Sequence, residues 1–318
     1  MKTYLVTGAA GFIASNIVDQ LLTQNAKVIG LDNLSTGFQE NLDAIESHPN
    51  SQNFQFIKGD IRDLETCQKA CKNVDYVLHL AALGSVPRSM EMPLLYDENN
   101  ITGTLNMLIA AKDNKAKRFI FSSSSSVYGD TLVLPKTETM NPLPKSPYAI
   151  SKITGEYYCK IFNESYGLPT IIFRYFNVFG PRQNPKSQYA AVIPKFITSF
   201  LENTSPTIFG DGEQTRDFTF VKNVVLANIK ACEMDLTHCG KAINMGCGAR
   251  ISVNDLAANI KKITQSTAPI DYKPPRAGDV KDSLADIVRS QEWLGLTNPT
   301  QLTEGLDITI KWYKKKQQ

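Results

Sequence analysis

Through its first half the chain alternates short β-branched and aliphatic runs with longer stretches whose apolar residues recur at helical spacing, and this alternation constrains the fold most. Strands linked by crossover helices pair in parallel, so the pattern predicts an α/β fold: a doubly wound parallel sheet with a smaller C-terminal substrate-binding lobe. Strands are expected at Thr3 to Thr7, Lys27 to Leu31, Phe54 to Lys58, Tyr76 to Leu80, Arg118 to Phe121 and Thr170 to Arg174, with a seventh at Ala242 to Met245. Helices are expected at Phe12 to Thr23, Leu64 to Cys71, Asn99 to Lys112 and Tyr148 to Tyr166. The unbroken apolar stretches Phe119-Ile120-Phe121 and Ile171-Ile172-Phe173 suit strands covered on both faces.

Beyond Asn177 the pattern changes, and Pro and Gly punctuate shorter elements such as Gly180-Pro181, Gly210-Asp211-Gly212 and Lys273-Pro274-Pro275. The expected division is a dinucleotide-binding part at 1–176, to which 221–246 returns, and a lobe made of 177–220 and 247–318. A chain of 318 residues is long enough for one large core with such an appendage.

The balance of 34 basic against 31 acidic residues leaves a net charge of +3, so no nucleic-acid partner is expected. The one basic run, Lys314-Lys315-Lys316, reads as a solvated helix end. No apolar stretch approaches the roughly 18 residues of a membrane span, and the N-terminus runs straight into a strand, so no membrane partner and a cytoplasmic location are expected. The six cysteines lack any CxxC spacing; reduced structural thiols are expected, and no metal.

The first strand ends in Thr7-Gly8-Ala9-Ala10-Gly11-Phe12-Ile13-Ala14, and a helix follows at once. Gly8 and Gly11 let the backbone turn tightly and approach a pyrophosphate, while the helix N-terminus offers free N–H groups. The second strand ends at Asp32, where a carboxylate accepts from the two hydroxyls of an adenosine ribose; its charge there favours NAD over NADP. Asn33, Ser35, Thr36 and Gly37 continue that loop. Gly59-Asp60-Ile61 follows the third strand, and Asp60 stays open between a place beside the adenine and a turn residue.

Tyr148 is the only tyrosine followed four positions on by lysine, Lys152, and the two share a helical face. A tyrosine of ordinary pKa near 10 is a poor base at neutral pH. The Lys152 ammonium, with the positive charge of a nicotinamide, favours the phenolate, and Tyr148 then takes a proton from a substrate hydroxyl as the carbon beneath loses hydride. Ser122 to Ser126 follow the fifth strand at the sheet edge where ligands bind. Because a strand end alternates faces, Ser124 is expected to hold the reacting oxygen, with Ser126 on the same side and Ser125 near if the chain turns.

With these elements in order, the chain resembles the extended short-chain dehydrogenase/reductase family, and within it the nucleotide-sugar 4-epimerases. The resemblance runs nearly end to end through TGAAGFIA, HLAALGSVPRS, NNITGTLN, SSSSSVYGD, SPYAISK, RYFNVFGPRQ and RAGDVKDSLAD. It implies a Rossmann-like fold, bound NAD, and catalysis by Ser124, Tyr148 and Lys152. It assigns Ala81, Ala82, Asn99 and Tyr175 to the NAD site, beside Phe12, Ile13 and Ile61 of the motifs above. Gly84 and Ser85 would flank the sugar. Asn177, Ala191, Val192, Thr207, Phe209, Arg216, Arg276 and Asp279 would hold a UDP moiety; paired arginines suit a diphosphate. The 4,6-dehydratases and uronate decarboxylases of the family carry acids where this chain has Ser124-Ser125-Ser126, which argues against both.

The resemblance also bears on the sugar. Ser283 stands where epimerases restricted to UDP-glucose and UDP-galactose carry a bulky residue, often tyrosine, so an acetamide is accommodated. UDP-N-acetylglucosamine/UDP-N-acetylgalactosamine 4-epimerisation is therefore expected, with the UDP-N-acetyl uronic acids or plain UDP-hexoses as alternatives; Arg88 is a candidate partner for a uronate carboxylate. A non-catalytic NAD-binding scaffold and a dehydrogenase releasing reduced dinucleotide are further alternatives. A homodimer is expected, through a four-helix bundle of the helices at Asn99 to Lys112 and Tyr148 to Tyr166. Leu105, Leu108, Ile109, Ile161 and Phe162 fit either that bundle or packing on the sheet.

Overall fold

A computed structural model describes residues 1–185, 191–275 and 281–317. Seven parallel strands, β1 (Thr3–Thr7), β2 (Lys27–Asp32), β3 (Phe54–Lys58), β4 (Tyr76–His79), β5 (Arg118–Ser124), β6 (Thr170–Tyr175) and β11 (Ala242–Met245), form one sheet in the order β11-β6-β5-β4-β1-β2-β3. The order reverses on either side of β1, which pairs with β2 on one flank and β4 on the other. Open parallel sheets bind ligands beyond the strand ends at such a reversal.

Successive side chains of each strand enter opposite layers. Val6, Leu78, Ile120 and Phe173 join a core with Ile17, Val18 and Leu21 of α1 (Phe12–Thr23), and that core runs on into Phe196, Ile208, Leu256 and Leu306. Leu5, Val77, Phe119 and Ile172 form a second core with Cys67 of α3 (Leu64–Ala70), Met107 and Leu108 of α6 (Gly103–Asp113), and Cys159 and Phe162 of α7 (Pro147–Ser165). Between these helices lie α2 (Gln39–Glu46), α4 (Val86–Glu91) and α5 (Pro93–Tyr96), which the sequence pattern did not announce. All six cysteines are free, five of them buried.

Past Tyr175 the strands other than β11 are two or three residues long. β7 (Val178–Phe179) pairs with β10 (Thr219–Phe220), β8 (Thr207–Phe209) with β13 (Asp271–Lys273), and β9 (Thr215–Arg216) with β12 (Ile251–Ser252). Helices α8 (Val192–Leu201), α9 (Val221–Ala231), α10 (Val253–Thr264), α11 (Val288–Leu294) and α12 (Leu302–Gln317) complete the chain. Among the described residues no helix is long and apolar enough to cross a membrane.

Two element boundaries differ from expectation in ways that matter for the site. β5 does not stop at Phe121 but pairs through Ser122, Ser123 and Ser124 with Phe173, Arg174 and Tyr175. Backbone pairing is indifferent to side-chain polarity, and β6 alone carries β5 through the three serines, since β4 pairs with it only as far as Phe121. The helix expected from Asn99 begins instead with a π-helical stretch, Asp97–Thr102, before α6, and both Asn99 and Asn100 are buried in it. Such wide turns recur at functional sites.

Candidate active site

Gly8 makes the first turn possible. Its φ is +70°, and a Cβ there would lie 3.0 Å from the Ala81 backbone, so an L side chain would meet both a left-handed conformation and a contact. Gly11 caps α1 without any side-chain hydrogen bond, and no acidic residue occupies the first helical turn, which leaves N–H groups and a positive dipole end for an anion. The adjacent cleft is lined by Gly8, Gly11, Asp32, Asn33, Ser35, Thr36, Gly37, Ile61, Ala81, Ala82 and Asn99. Phe12 and Ile13 are partly buried and pack against the core under the sheet.

Asp32 is buried at 8% exposure. Its Oδ2 accepts from the Ala10 N–H at 3.0 Å and its Oδ1 from the Leu34 N–H at 2.7 Å. Burial raises its carboxyl, with those backbone donors opposing. A carboxylate has about four lone-pair sites, so acceptor capacity remains for a ribose diol. Asp60 is engaged otherwise: Arg62 Nη2 lies 2.8 Å from its Oδ2, and Asn33 Nδ2 donates to the same oxygen at 2.8 Å. The Arg62 hydrogen bond is the main reason its carboxyl falls to about 2. Through Asn33 it braces the loop that lines the cleft. These residues fit NAD: a glycine cradle, an uncapped helix N-terminus and an acceptor at the end of β2.

The loop bearing Ala81 is held from below by a buried relay. Thr7 Oγ1 accepts from the Leu80 and Ala81 N–H groups, both at 3.1 Å, and bonds His79 Nδ1 at 2.8 Å. His79 Nε2 lies 3.1 Å from Thr104 Oγ1, which donates to Asn100 O at 2.6 Å. The chain is satisfied when His79 carries its proton on Nε2. Burial first, then the Lys152 charge, pushes the imidazole down to about 3. Asn100 also bonds both backbone groups of Leu83, at 2.8 and 3.1 Å, and Ser151 Oγ at 3.0 Å. Ser151 in turn donates to Tyr148 O at 2.8 Å, so one residue links the Ala81 loop to the tyrosine helix.

That helix, α7, starts where Ser146 accepts the Ala149 N–H at 3.1 Å and Pro147 occupies the first turn. Tyr148 stands on its first turn with the Tyr96 ring edge-on at 6.4 Å. Burial raises its phenol above the ordinary range, and a hydrogen bond with the Ser124 side chain opposes this. One turn on, the buried Lys152 ammonium lies 5.8 Å from the Tyr148 ring centroid and donates to Ser122 O at 2.7 Å. Burial pushes that ammonium down to about 8, against the pull of Cys159 and Glu156. Burial thus opposes the phenolate that Lys152 and a nicotinamide charge together are expected from the sequence to favour.

The serine run splits as the strand alternation requires. Ser123 donates to Glu156 Oε1 at 2.5 Å on the α7 side, whereas Ser122 Oγ lies 3.1 Å from Tyr175 Oη on the other. Tyr175 Oη also accepts from Asn228 Nδ2 at 2.8 Å, which ties it to α9. Ser125 and Ser126 open a 3₁₀ turn, Ser125–Tyr128, and the Ser126 N–H donates to Ser124 Oγ at 3.2 Å. Ser126 Oγ is buried and has no partner among the described residues.

A second cleft of about 610 Å³ is lined by Asn177, Ala191, Val192, Thr207, Phe209 and Arg216 among others. Asn177 follows β6 as Ala81 follows β4, and β5 with Ser124 runs between those strands. Arg276 and Asp279 lie outside the described residues. Ser283 does lie within them, and its N–H donates to Thr215 O at 3.1 Å. Gly84 is exposed with open space around it, and Ser85 caps α4 by accepting the Arg88 N–H at 3.2 Å.

The family model described as the NAD dependent epimerase/dehydratase family matches residues 4–246. The chain belongs to this family. It is 40% identical over 312 residues to a putative UDP-glucose 4-epimerase of Methanocaldococcus jannaschii, covering 98% of each chain. A solved UDP-N-acetylglucosamine 4-epimerase from Methanobrevibacter ruminantium, in complex with UDP-N-acetylmuramic acid, is 46% identical with a TM-score of 0.92 and 99% of each chain covered. A UDP-glucuronic acid 4-epimerase from Bacillus cereus, solved with UDP-glucuronic acid and NAD, is 33% identical with a TM-score of 0.90, over 98% of this chain and 99% of that one. With them it stands among the NAD-dependent UDP-sugar 4-epimerases, which are isomerases.

Several residues that brace the two clefts were given no individual role by the sequence. Asn100, His79, Glu156 and Asp217 act through backbone groups or side chains distant in the chain, and neither spacing nor composition marks them. Only the doubled Asn99-Asn100 beside a helix start hinted at the first.

Proposed function

We propose that the protein interconverts the 4-epimers of UDP-N-acetylhexosamines, UDP-N-acetylglucosamine and UDP-N-acetylgalactosamine. The observation that carries this reading is the small side chain of Ser283, on a segment hydrogen-bonded alongside the strand of Arg216, which lines the second cleft. The likeness to a UDP-N-acetylglucosamine 4-epimerase over nearly the whole chain supports it.

In this reading the uridine diphosphate occupies the cleft of Asn177, Ala191, Val192, Thr207 and Phe209, with Arg216 on the phosphates. Arg276 and Asp279 join them from outside the described residues. Gly84, Ser85, Ser125, Ser126 and Ser283 surround the sugar. The NAD site is the first cleft, and bound NAD supplies acceptance and return of the hydrogen on C4. Lys152 holds the nicotinamide ribose, and Tyr175 shapes the floor beneath it. Ser124 grips the sugar O4. Tyr148, bonded to Ser124, takes the O4 proton and later gives it back, so the same group serves as base and acid. Between those transfers the 4-keto sugar turns, and residues of the wide second cleft hold the nucleotide while it does so. The Lys152 ammonium and the positive charge that an oxidised nicotinamide would carry both favour the phenolate, against the burial that raises the phenol.

A second reading, turnover of UDP-N-acetyl uronic acids, draws on Arg88, which has no ion-pair partner among the described residues and follows Gly84 and Ser85. Purified protein incubated separately with each UDP-sugar, followed by chromatographic separation of the 4-epimers, decides between them. Turnover of UDP-galactose equal to or better than that of UDP-N-acetylgalactosamine would sink the Ser283 argument.

The proposed assembly is a homodimer through the outer face of α7. Ile150, Tyr157 and Ile161 are exposed there at helical spacings of seven and four, and Met90 and Leu94 lie on the helices packed near it. Leu108 and Phe162, by contrast, are buried in the second core and pack on the sheet, while Leu105 and Ile109 are partly buried against it. Light scattering on Tyr157→Arg/Ile161→Arg protein should then give half the wild-type mass.

A further inference from the structure

We infer that Asp217 is a positioning residue that sets where Arg216 and Ser283 stand, and so governs both nucleotide affinity and the choice of sugar. This inference rests on the UDP-sugar reading above and adds a residue that the reading does not use.

Asp217 is fully buried, at 0% exposure. Its Oδ1 accepts the Cys247 N–H at 2.8 Å, and its Oδ2 accepts the N–H groups of Gly248 and Ala285, each at 3.1 Å. Its own carbonyl accepts from Asn177 Nδ2 at 2.9 Å. One residue thus fixes three stretches: the end of β6, the end of β11, and the segment that bears Ser283.

That segment is laid against the Arg216 strand by a short ladder. The Thr215 N–H donates to Lys281 O and the Ser283 N–H to Thr215 O, both at 3.1 Å. Arg216 Nη1 donates to Lys281 O at 3.0 Å. The ladder ends at the Ala285 N–H on Asp217, so this carboxylate closes the far side of the Ser283 position. Burial raises the carboxyl to about 6 despite its three donors. A buried carboxylate is costly in a core that an apolar residue fills, whereas three converging N–H groups require an acceptor with two oxygens. Gly246 shows how closely the parts fit: a Cβ there would lie 2.5 Å from Ala285 Cβ and 2.8 Å from Asp217 Oδ2.

Two variants test the inference in the full-length, NAD-loaded protein. Asp217→Asn keeps the shape but offers one acceptor oxygen to three donors. Gly246→Ala keeps the carboxylate and wedges the Ala285 segment away from it. Calorimetric titration with UDP should weaken at least about tenfold in Asp217→Asn. The kcat/KM preference for UDP-N-acetylglucosamine over UDP-glucose should fall about tenfold in both variants, carried by KM, while bound NAD and kcat stay within about threefold of wild type. A folded Gly246→Ala protein with wild-type preference overturns the inference even if Asp217→Asn does not fold. So does Asp217→Asn protein that binds UDP as the wild type does, or that loses kcat and NAD in parallel with affinity. Wild-type protein that fails to bind UDP overturns the UDP-sugar reading itself, and the inference with it.

Discussion

The seven-stranded sheet and the region of short ladders each line a cleft, and they position its residues by different means. In the sheet, strands of four to seven residues bring Thr7, Asp32, His79, Ser124 and Tyr175 to one edge through continuous backbone pairing. Side chains there refine positions already fixed. Beyond Tyr175, ladders of two or three residues cannot stand alone, and single side chains join them. Asp217 receives three backbone donors, and Asn203 Oδ1 accepts from the N–H groups of Thr267 and Ala268. An error in the sheet should therefore cost fold or chemistry, and an error among the ladders should cost affinity and selectivity.

The largest effect belongs to Tyr148→Phe, which keeps the ring and removes the proton. Epimerisation should fall by about 10³-fold or more with NAD still bound. Intact turnover would end the proposed mechanism and revive a scaffold role, and accumulation of free reduced dinucleotide in wild-type assays would instead indicate a dehydrogenase.

Next comes the buried pair Arg174 and Glu156. Arg174 Nη2 lies 2.7 Å from Glu156 Oε2, with both side chains at 5% exposure, and Ser123 bonds the same carboxylate. Arg174→Met leaves that charge alone in the interior and should cost about 3–5 kcal/mol by urea unfolding. A loss below about 1 kcal/mol would mean that the sheet is less dependent on its buried charges than the contrast requires.

The His79 relay makes a smaller, pH-dependent prediction. Its folded value of about 3 lies below the ordinary 6.5, so the unfolded chain binds more protons between those limits. The stability from keeping His79 neutral is complete above the unfolded value and is lost as pH falls through 6.5 toward 3. This group alone should remove about 2 kcal/mol between pH 7 and pH 5. A histidine-to-asparagine variant at this position should lose that slope in denaturant titrations at the two pH values; an unchanged slope would contradict the buried neutral imidazole.

The smallest expected change sharpens the other side. Ser283→Tyr should lower turnover of UDP-N-acetylglucosamine relative to UDP-glucose by about tenfold, with unfolding free energy within about 0.5 kcal/mol of wild type. A destabilisation as large as that of Arg174→Met would erase the difference between the two regions.

The seven strands were legible because apolar runs bounded by turn residues report burial directly, and the Gly8 to Gly11 turn and the Tyr148-Lys152 pair were legible because each function needs fixed residue types at fixed spacing. The end of β5 was not, since three serines hide a strand end whose ladder a single neighbour, β6, continues. The π-helical stretch at Asp97–Thr102 was not, because a wide turn is settled by what Asn100 meets at Leu83 and Ser151, far off in the chain.

The sequence by itself determined the parallel sheet, the glycine turn after β1 and the Tyr148-Lys152 pair on one helical face, because those follow from local periodicity and spacing. Only the tertiary structure decided that burial raises the Tyr148 phenol and pushes the Lys152 ammonium down, that Asp60 binds Arg62, and that Asp217 latches the Ser283 segment. Desolvation and long-range hydrogen bonds depend on which distant segments meet, and no local pattern encodes that.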